Sequence, residues 1–241
     1  VSLTNKGNYD GMIIKYNASG ECEWAKGIGG SRADYIKSVA ETSDGGIIAG
    51  GEFESNSIDL GNGVSLTNKG KSDGMIIKYS AEGECEWAKV IGGGAFDQIN
   101  SVAETSDGGI IAGGSFESES IDLGNGVSLC NVDDKDGMII KYSSSGECEW
   151  AKGIGGISDD IINSVVETSD GGIIAGGYFR LFSIYLGNGV SLENNGHEDG
   201  MIIKFEKTEL QNLVATQAKV IGGGYDDSID SVAKTRDGGL I

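Results

Sequence analysis

Proline is absent from the 241 residues, histidine occurs once, at His197, and there are four cysteines. Without proline the turns rest on other residues, and 42 glycines supply them, since glycine takes positive φ without steric cost and suits tight hairpins. One histidine and no Cys-x-x-Cys pair exclude a zinc site of the usual Cys/His kind, and no metal or other cofactor is expected. Apolar runs such as Met12-Ile13-Ile14 are far shorter than the roughly 18 to 20 residues a bilayer-crossing helix needs, so no membrane insertion is expected in this segment. Basic residues are scarce: 18 Lys and Arg stand against 37 Asp and Glu, for a net charge of −19. That balance disfavours nucleic acid and anionic membranes as partners, because both are bound chiefly through Lys and Arg. Many of the acids sit in turns such as Ser43-Asp44-Gly45, where they keep a repetitive sheet protein soluble.

What the chain has in quantity is repetition. Asp10-Gly11-Met12-Ile13-Ile14-Lys15-Tyr16 returns from Asp73, from Asp136 and, with Phe205 in place of tyrosine, from Asp199, a period of 63 residues each time. Cys22, Cys85 and Cys148 share one repeat position, a whole unit apart, beyond the ~7 Å Cα separation a disulfide allows. With Cys130 they are expected to be free thiols.

Within one copy, Ile99 to Thr105 reads as a strand of small and β-branched residues, Ser106-Asp107-Gly108-Gly109 turns, and Ile110 to Phe116 returns with consecutive apolar residues, as in a strand covered on both faces. Ile121 to Leu129 then forms an inserted hairpin through Asn125-Gly126. Gly137 to Tyr142 and Glu147 to Lys152 are the third and fourth strands, and alternation places Cys148 and Trp150 on one face and both glutamates on the other. Four antiparallel strands per unit with a Gly-Gly link to the next describe an all-β fold, a β-propeller of four-stranded blades with a hairpin between the second and third strands of each. Residues 1–241 are expected to form one array, three complete blades and two partial ones. Closing four copies would need 15 further residues, the equivalents of Ala49 to Gly63, so a piece of a longer propeller is expected.

Asp-Gly-Met-Ile-Ile-Lys-Tyr, Glu-Trp-Ala-Lys, Ile-Gly-Gly, Ser-Val-Ala and Asp-Gly-Gly-Ile-Ile-Ala-Gly-Gly resemble the bacterial β-propeller repeats often labelled SBBP, over nearly the whole chain. The resemblance implies a secreted or cell-surface bacterial protein and brings no shared catalytic residues. The chain departs from it in the inserted hairpin and in the fourth copy, where Glu206 to Val214 replaces the Glu-Cys-Glu-Trp strand.

Candidate site residues lie where copies disagree. The inter-blade links carry Arg32, Asp34 and Tyr35, then Phe96 and Asp97, then Asp160, then Tyr225 and Asp227. Inter-blade links and inserted hairpins are expected to share one face, and loops on a rigid scaffold are where binding usually resides. The recurring aspartates Asp34, Asp97, Asp160 and Asp227 could ring a cation such as calcium, although acceptance of backbone N–H bonds at a strand start is the better reading. Trp24, Trp87 and Trp150 fit wedges between blades better than sugar platforms. Arg180 and Phe182 belong to an apolar, basic cluster whose counterparts are polar, a candidate contact surface. The leading expectation is a non-catalytic, extracytoplasmic binding or scaffold module for a protein or glycan ligand. The alternative is a carbohydrate-active enzyme using Asp159/Asp160 and Asp226/Asp227. No Gly-x-Ser-x-Gly elbow is present, and Gly27-Ile28-Gly29-Gly30 lacks the later glycine of a dinucleotide loop.

Overall fold

The computed structural model describes residues 1–180, 183–207 and 213–235, and all regular structure among them is β. The antiparallel pair β1 (Gly11–Tyr16) and β2 (Cys22–Ile28) comes first. Next are β3 (Asp34–Glu41) and β4 (Ile47–Phe53), the hairpin β5 (Ser57–Gly61) and β6 (Val64–Thr67), then β7 (Asp73–Tyr79) and β8 (Cys85–Ile91). The unit repeats as β9 (Asp97–Glu104), β10 (Ile110–Phe116), hairpin β11 (Ser120–Gly124) and β12 (Val127–Cys130), β13 (Asp136–Tyr142) and β14 (Cys148–Ile154). It repeats again as β15 (Asp160–Glu167), β16 (Ile173–Arg180), hairpin β17 (Ser183–Gly187) and β18 (Val190–Glu193), β19 (Glu198–Lys207) and β20 (Leu213–Ile221). Each unit is a four-stranded antiparallel sheet, ordered β3-β4-β7-β8, β9-β10-β13-β14 and β15-β16-β19-β20, with its hairpin a separate two-stranded sheet. These are propeller-like blades of the expected period. Residues 222–235 continue into the inner position of a further unit, where Ile229 N donates to Gly177 O (3.1 Å) and Val232 N to Ser164 Oγ (3.1 Å).

Local chemistry sets the turns. In the turn from β3 to β4, Asp44 Oδ1 accepts from Thr42 Oγ1 (2.6 Å) and Gly46 N (2.9 Å), and the buried Lys78 ammonium reaches the same carboxylate at 3.0 Å. In the inserted hairpin Asn62 has φ 52° and Gly63 φ 75°, the pair of positive values that a two-residue hairpin turn requires.

A sheet with apolar residues on both faces is stable only inside a stack, and three cores lie between neighbouring sheets. Between the first and second blades, Ile48 and Ile76 of one meet Ala112, Met138, Ile140 and Tyr142 of the other. Equivalent positions fill the core on either side. The inner strands β3, β9 and β15 lie against one another. Close approach of β10 to β15 requires glycine: a β-carbon on Gly113 would stand 2.7 Å from Val165 Cγ1 and 2.8 Å from Ile162 Cγ2 of the next blade. Polar bonds repeat with the same phase. Val102 N donates to Ser38 Oγ (3.1 Å), Val165 N to Ser101 Oγ (3.2 Å), Trp24 Nε1 to Ala81 O (2.9 Å) and Trp87 Nε1 to Ser144 O (3.0 Å).

Two expectations are corrected. Cys148 and Trp150 do not share a face: Cys148 packs in the core toward the first blade and Trp150 in the core toward the third. The cause is a bulge, since Tyr142 pairs with Cys148 but Lys141 with Trp150, leaving Glu149 as the extra residue. The inserted hairpins do not crown the inter-blade links either. Ile121, Leu123 and Leu129 are buried in the core beside the outer strand, and Asn125 at the hairpin tip donates through Nδ2 to Cys148 O (3.0 Å) at the start of β14. An amphipathic hairpin buries its apolar side where a gap is available, and stacked blades leave one along the outer strand.

Replacing Ser101 by alanine leaves the Val165 amide without its acceptor inside the stack, at an expected cost of ~1–3 kcal/mol. Urea denaturation monitored by tryptophan fluorescence reads this as a lowered midpoint, and an unchanged midpoint would show that the inter-blade serine bond carries no stability.

Candidate functional site

The links between blades begin with Gly-Gly and end at the aspartate that opens each inner strand. Asp34 accepts from Gly30 N (2.9 Å), Ser55 N (3.1 Å) and Ser55 Oγ (2.6 Å). Asp97 accepts from Gly93 N (3.0 Å), Glu117 N (3.2 Å), Ser118 N (3.1 Å) and Ser118 Oγ (2.6 Å). Asp160 accepts from Gly156 N (2.8 Å) and Arg180 N (3.3 Å), and Asp227 from Gly223 N (3.0 Å). Asp34, Asp97 and Asp160 are buried beneath the links and are spent on holding them, whereas Asp227 is exposed. Among the described residues no group of three or more His, Cys, Asp or Glu side chains could hold a metal ion.

Above these anchors the links present side chains to solvent. Arg32 is exposed, and Tyr35, Phe96 and Tyr225 are 40%, 44% and 87% exposed. Tyr35 stacks on Tyr9 with centroids 6.0 Å apart, and Lys71 Nζ sits 4.8 Å from the Phe96 centroid. Phe96 also borders a cleft of ≈ 150 Å³ with Glu52, Gln98, Glu117 and Lys135. The structure therefore brings Arg32, Tyr35, Phe96 and Tyr225 to one rim. Phe182 lies outside the described residues.

Arg180 does not stand free on that rim. Its guanidinium holds Asp159 (2.8 Å) and Glu198 (2.8 Å), and its Cζ lies 5.8 Å from the Tyr178 ring. The same positions of the preceding blade carry Glu117 and Lys135, 3.0 Å apart. The pair is thus reversed in sign between blades, a compensated swap that sequence reasoning missed and that comparison of the copies position by position could have found. In the two adjacent-aspartate links Asp159 is bound to Arg180 while Asp160 is buried, and Asp226 Oδ1 lies 2.9 Å from His197 Nδ1 while Asp227 accepts a link amide. A groove of ≈ 760 Å³, lined by residues including Ile174, Val190, Ile202 and Ala218, opens on the third blade. Ile202 corresponds to the buried Ile76 and Ile139, so the groove belongs to a blade-stacking face.

No family model matches the chain. It is similar to an uncharacterized WD repeat-containing protein of Acanthamoeba polyphaga mimivirus, at 26% identity over 153 residues, which cover 59% of this chain. The match takes in 11% of that protein, so the chain spans only about a tenth of the relative's length. WD repeats are four-stranded propeller blades, in agreement with the sheets described above. The chain is a β-propeller-like repeat protein. Neither comparison assigns this propeller-like array to the SBBP repeats that its sequence resembles.

The Arg180→Glu variant gathers three carboxylates, with Asp159 and Glu198, and is expected to lose on the order of 1 kcal/mol of stability. Adding Glu198→Lys recreates the arrangement of the preceding blade and restores most of the loss in a thermal-unfolding double-mutant cycle. Additive effects of the two substitutions would contradict the paired reading.

Proposed function

We propose that this propeller-like array is a non-catalytic interaction scaffold that binds a protein partner along the rim formed by its inter-blade links. The observation that carries this reading is the contrast between repeated, buried strands and the exposed, dissimilar side chains of the links, among them Arg32, Tyr35, Phe96 and Tyr225. Aromatic and arginine side chains are the residues that most often dominate protein interfaces, and here they stand on a rigid framework that need not reorder on binding. The resemblance to a WD repeat-containing protein supports a scaffold. The net charge of −19 favours partners that present basic surface, by steering the encounter. An extracytoplasmic setting, which the SBBP-like repeats imply, belongs to the same reading, and a glycan partner is the outcome that competes with a protein one.

Arrays of immobilised proteins and glycans, probed with the wild-type chain and with the Arg32→Ala, Phe96→Ala, Tyr225→Ala triple variant, test the reading. The expected result is capture by a protein ligand that the triple variant loses at least tenfold while unfolding at the wild-type temperature. Capture indifferent to the three substitutions would move the interface off the rim, and capture confined to glycans would overturn the partner class.

A further inference from the structure

At each junction a second aspartate, the one that opens the third strand of a blade, lies beside the aspartate that opens the first strand of the next. A β-carbon on Gly92 would overlap Asp73 Oδ1 and stand 2.8 Å from Asp97 Oδ2. One on Gly155 would overlap Asp136 Oδ1 and stand 3.0 Å from Asp160 Oδ2, and one on Gly222 would overlap Asp199 Oδ1 and stand 3.1 Å from Asp227 Oδ2. Gly92, Gly155 and Gly222, each the first glycine of a Gly-Gly link, therefore mark the space into which two carboxylates from adjacent blades converge. Asp73, Asp97, Asp136, Asp160 and Asp199 are each at least 97% buried.

In the Asp73–Asp97 and Asp136–Asp160 pairs the two members are treated differently by their surroundings. Asp97 is saturated by four donors, as described above. Among the described residues Asp73 receives only Lys69 N on Oδ2 (2.5 Å), Asp136 only Val132 N on Oδ2 (3.0 Å), and Asp199 only Asn195 N on Oδ2 (2.6 Å). Their Oδ1 atoms, with that of Asp10, are buried and have no hydrogen-bond partner. A buried carboxylate oxygen without a donor, next to a second carboxylate, is costly unless a cation or a proton neutralises it.

We propose that the Asp73–Asp97 and Asp136–Asp160 junctions are proton-binding sites, in which one proton taken from solvent and held between the two carboxyls, beside the unpartnered strand-three Oδ1, neutralises the pair and latches neighbouring blades beneath the rim. Burial, then the nearby Asp97 charge, pushes Asp73 up to about 6 against the pull of Lys69. Burial pushes Asp160 up to about 7, with Asp136 and Asp159 adding to it, and raises Asp136, to which Asp133 contributes. That pair titrates as a unit. The other charged groups around it, Arg180 and Lys135, are engaged by Asp159 and Glu198 and by Glu117, and Tyr178 faces Asp160. The folded chain binds more protons than the unfolded chain between about pH 4 and these raised values, so junction stability falls as pH rises through 6 to 7. The turn aspartates act oppositely: Asp44, held low by Thr42, Gly46 and Lys78, loses its contribution only as pH falls below about 4. The inference goes beyond the partner reading and does not depend on it.

Carboxyl carbon-13 NMR of the full chain reads the sites directly. The Asp73 carboxyl and the coupled Asp136–Asp160 pair are expected to titrate near pH 6 and 7. The thermal midpoint of the wild type should drop between pH 5 and pH 8, while an Asp73→Asn, Asp136→Asn double variant, whose amides replace the protonated carboxyls, stays flat and exceeds the wild type at pH 8. If the variant does not fold, the wild-type titration decides alone. Titration of all these carboxyls below pH 5, or a pH dependence that survives in a folded double variant, would overturn the proposal. Calcium chloride that raises the wild-type midpoint at pH 8 and saturates at one ion per junction would overturn it as well, by assigning the pairs to a metal ion.

Discussion

Each blade carries apolar side chains on both faces, so no blade can be stable except against another. That constraint organises the molecule. It explains why the second strands read as continuous apolar runs, why Gly113 is tolerated where β10 meets Val165 and Ile162, and why the indoles of Trp24 and Trp87 reach across to carbonyls of the next blade. It also explains the inserted hairpins, whose Ile58, Leu60 and Leu66, and their copies, fill space along the outer strands that the inner strands do not leave open. A blade of about 63 residues is thus a sheet plus its own wedge.

Much of this was legible in the sequence. The period identified the unit, Asn-Gly marked the hairpin turns, and alternation with β-branched residues marked the strands, because these signals are local. What alternation could not reveal was a bulge: one extra residue at Glu149 sends Cys148 and Trp150 to opposite cores, and nothing in Cys-Glu-Trp distinguishes that from a regular strand. The position of the hairpin was equally hidden, because its apolar face says that it is covered and not by what. The candidate site was half legible. Arg32, Tyr35, Phe96 and Tyr225 lie on exposed links, but Asp34, Asp97 and Asp160, drawn from the same links, are buried supports. A list of variable loops does not separate the two, since a residue that anchors a loop and a residue that decorates it are neighbours in sequence.

The division between framework and rim gives the molecule its functional logic. Carboxylates that would otherwise suggest a metal ring or a hydrolase pair are committed to link amides, to Arg180 or to the junctions. The exposed side chains of the rim, Arg32, Tyr35, Phe96 and Tyr225 among them, sit on short links that begin at Gly-Gly and end at an aspartate accepting a link amide. Positions beside the links change in a compensated way, as the sign-reversed pairs Glu117–Lys135 and Arg180–Glu198 illustrate on adjoining blades. On the proposed reading, such a scaffold changes specificity by substitution at the rim without disturbing the stack.

The central claim is that inserted hairpins and inner strands form one buried framework beneath exposed links. Hydrogen exchange followed by mass spectrometry measures that division residue segment by residue segment. The account predicts that peptides from β5–β6 and β11–β12 exchange nearly as slowly as β4 and β10, while link peptides around Arg32 and Phe96 exchange fast. Hairpins that exchange at the rate of open loops would contradict it, because they would then be ornaments on the propeller and not wedges within it.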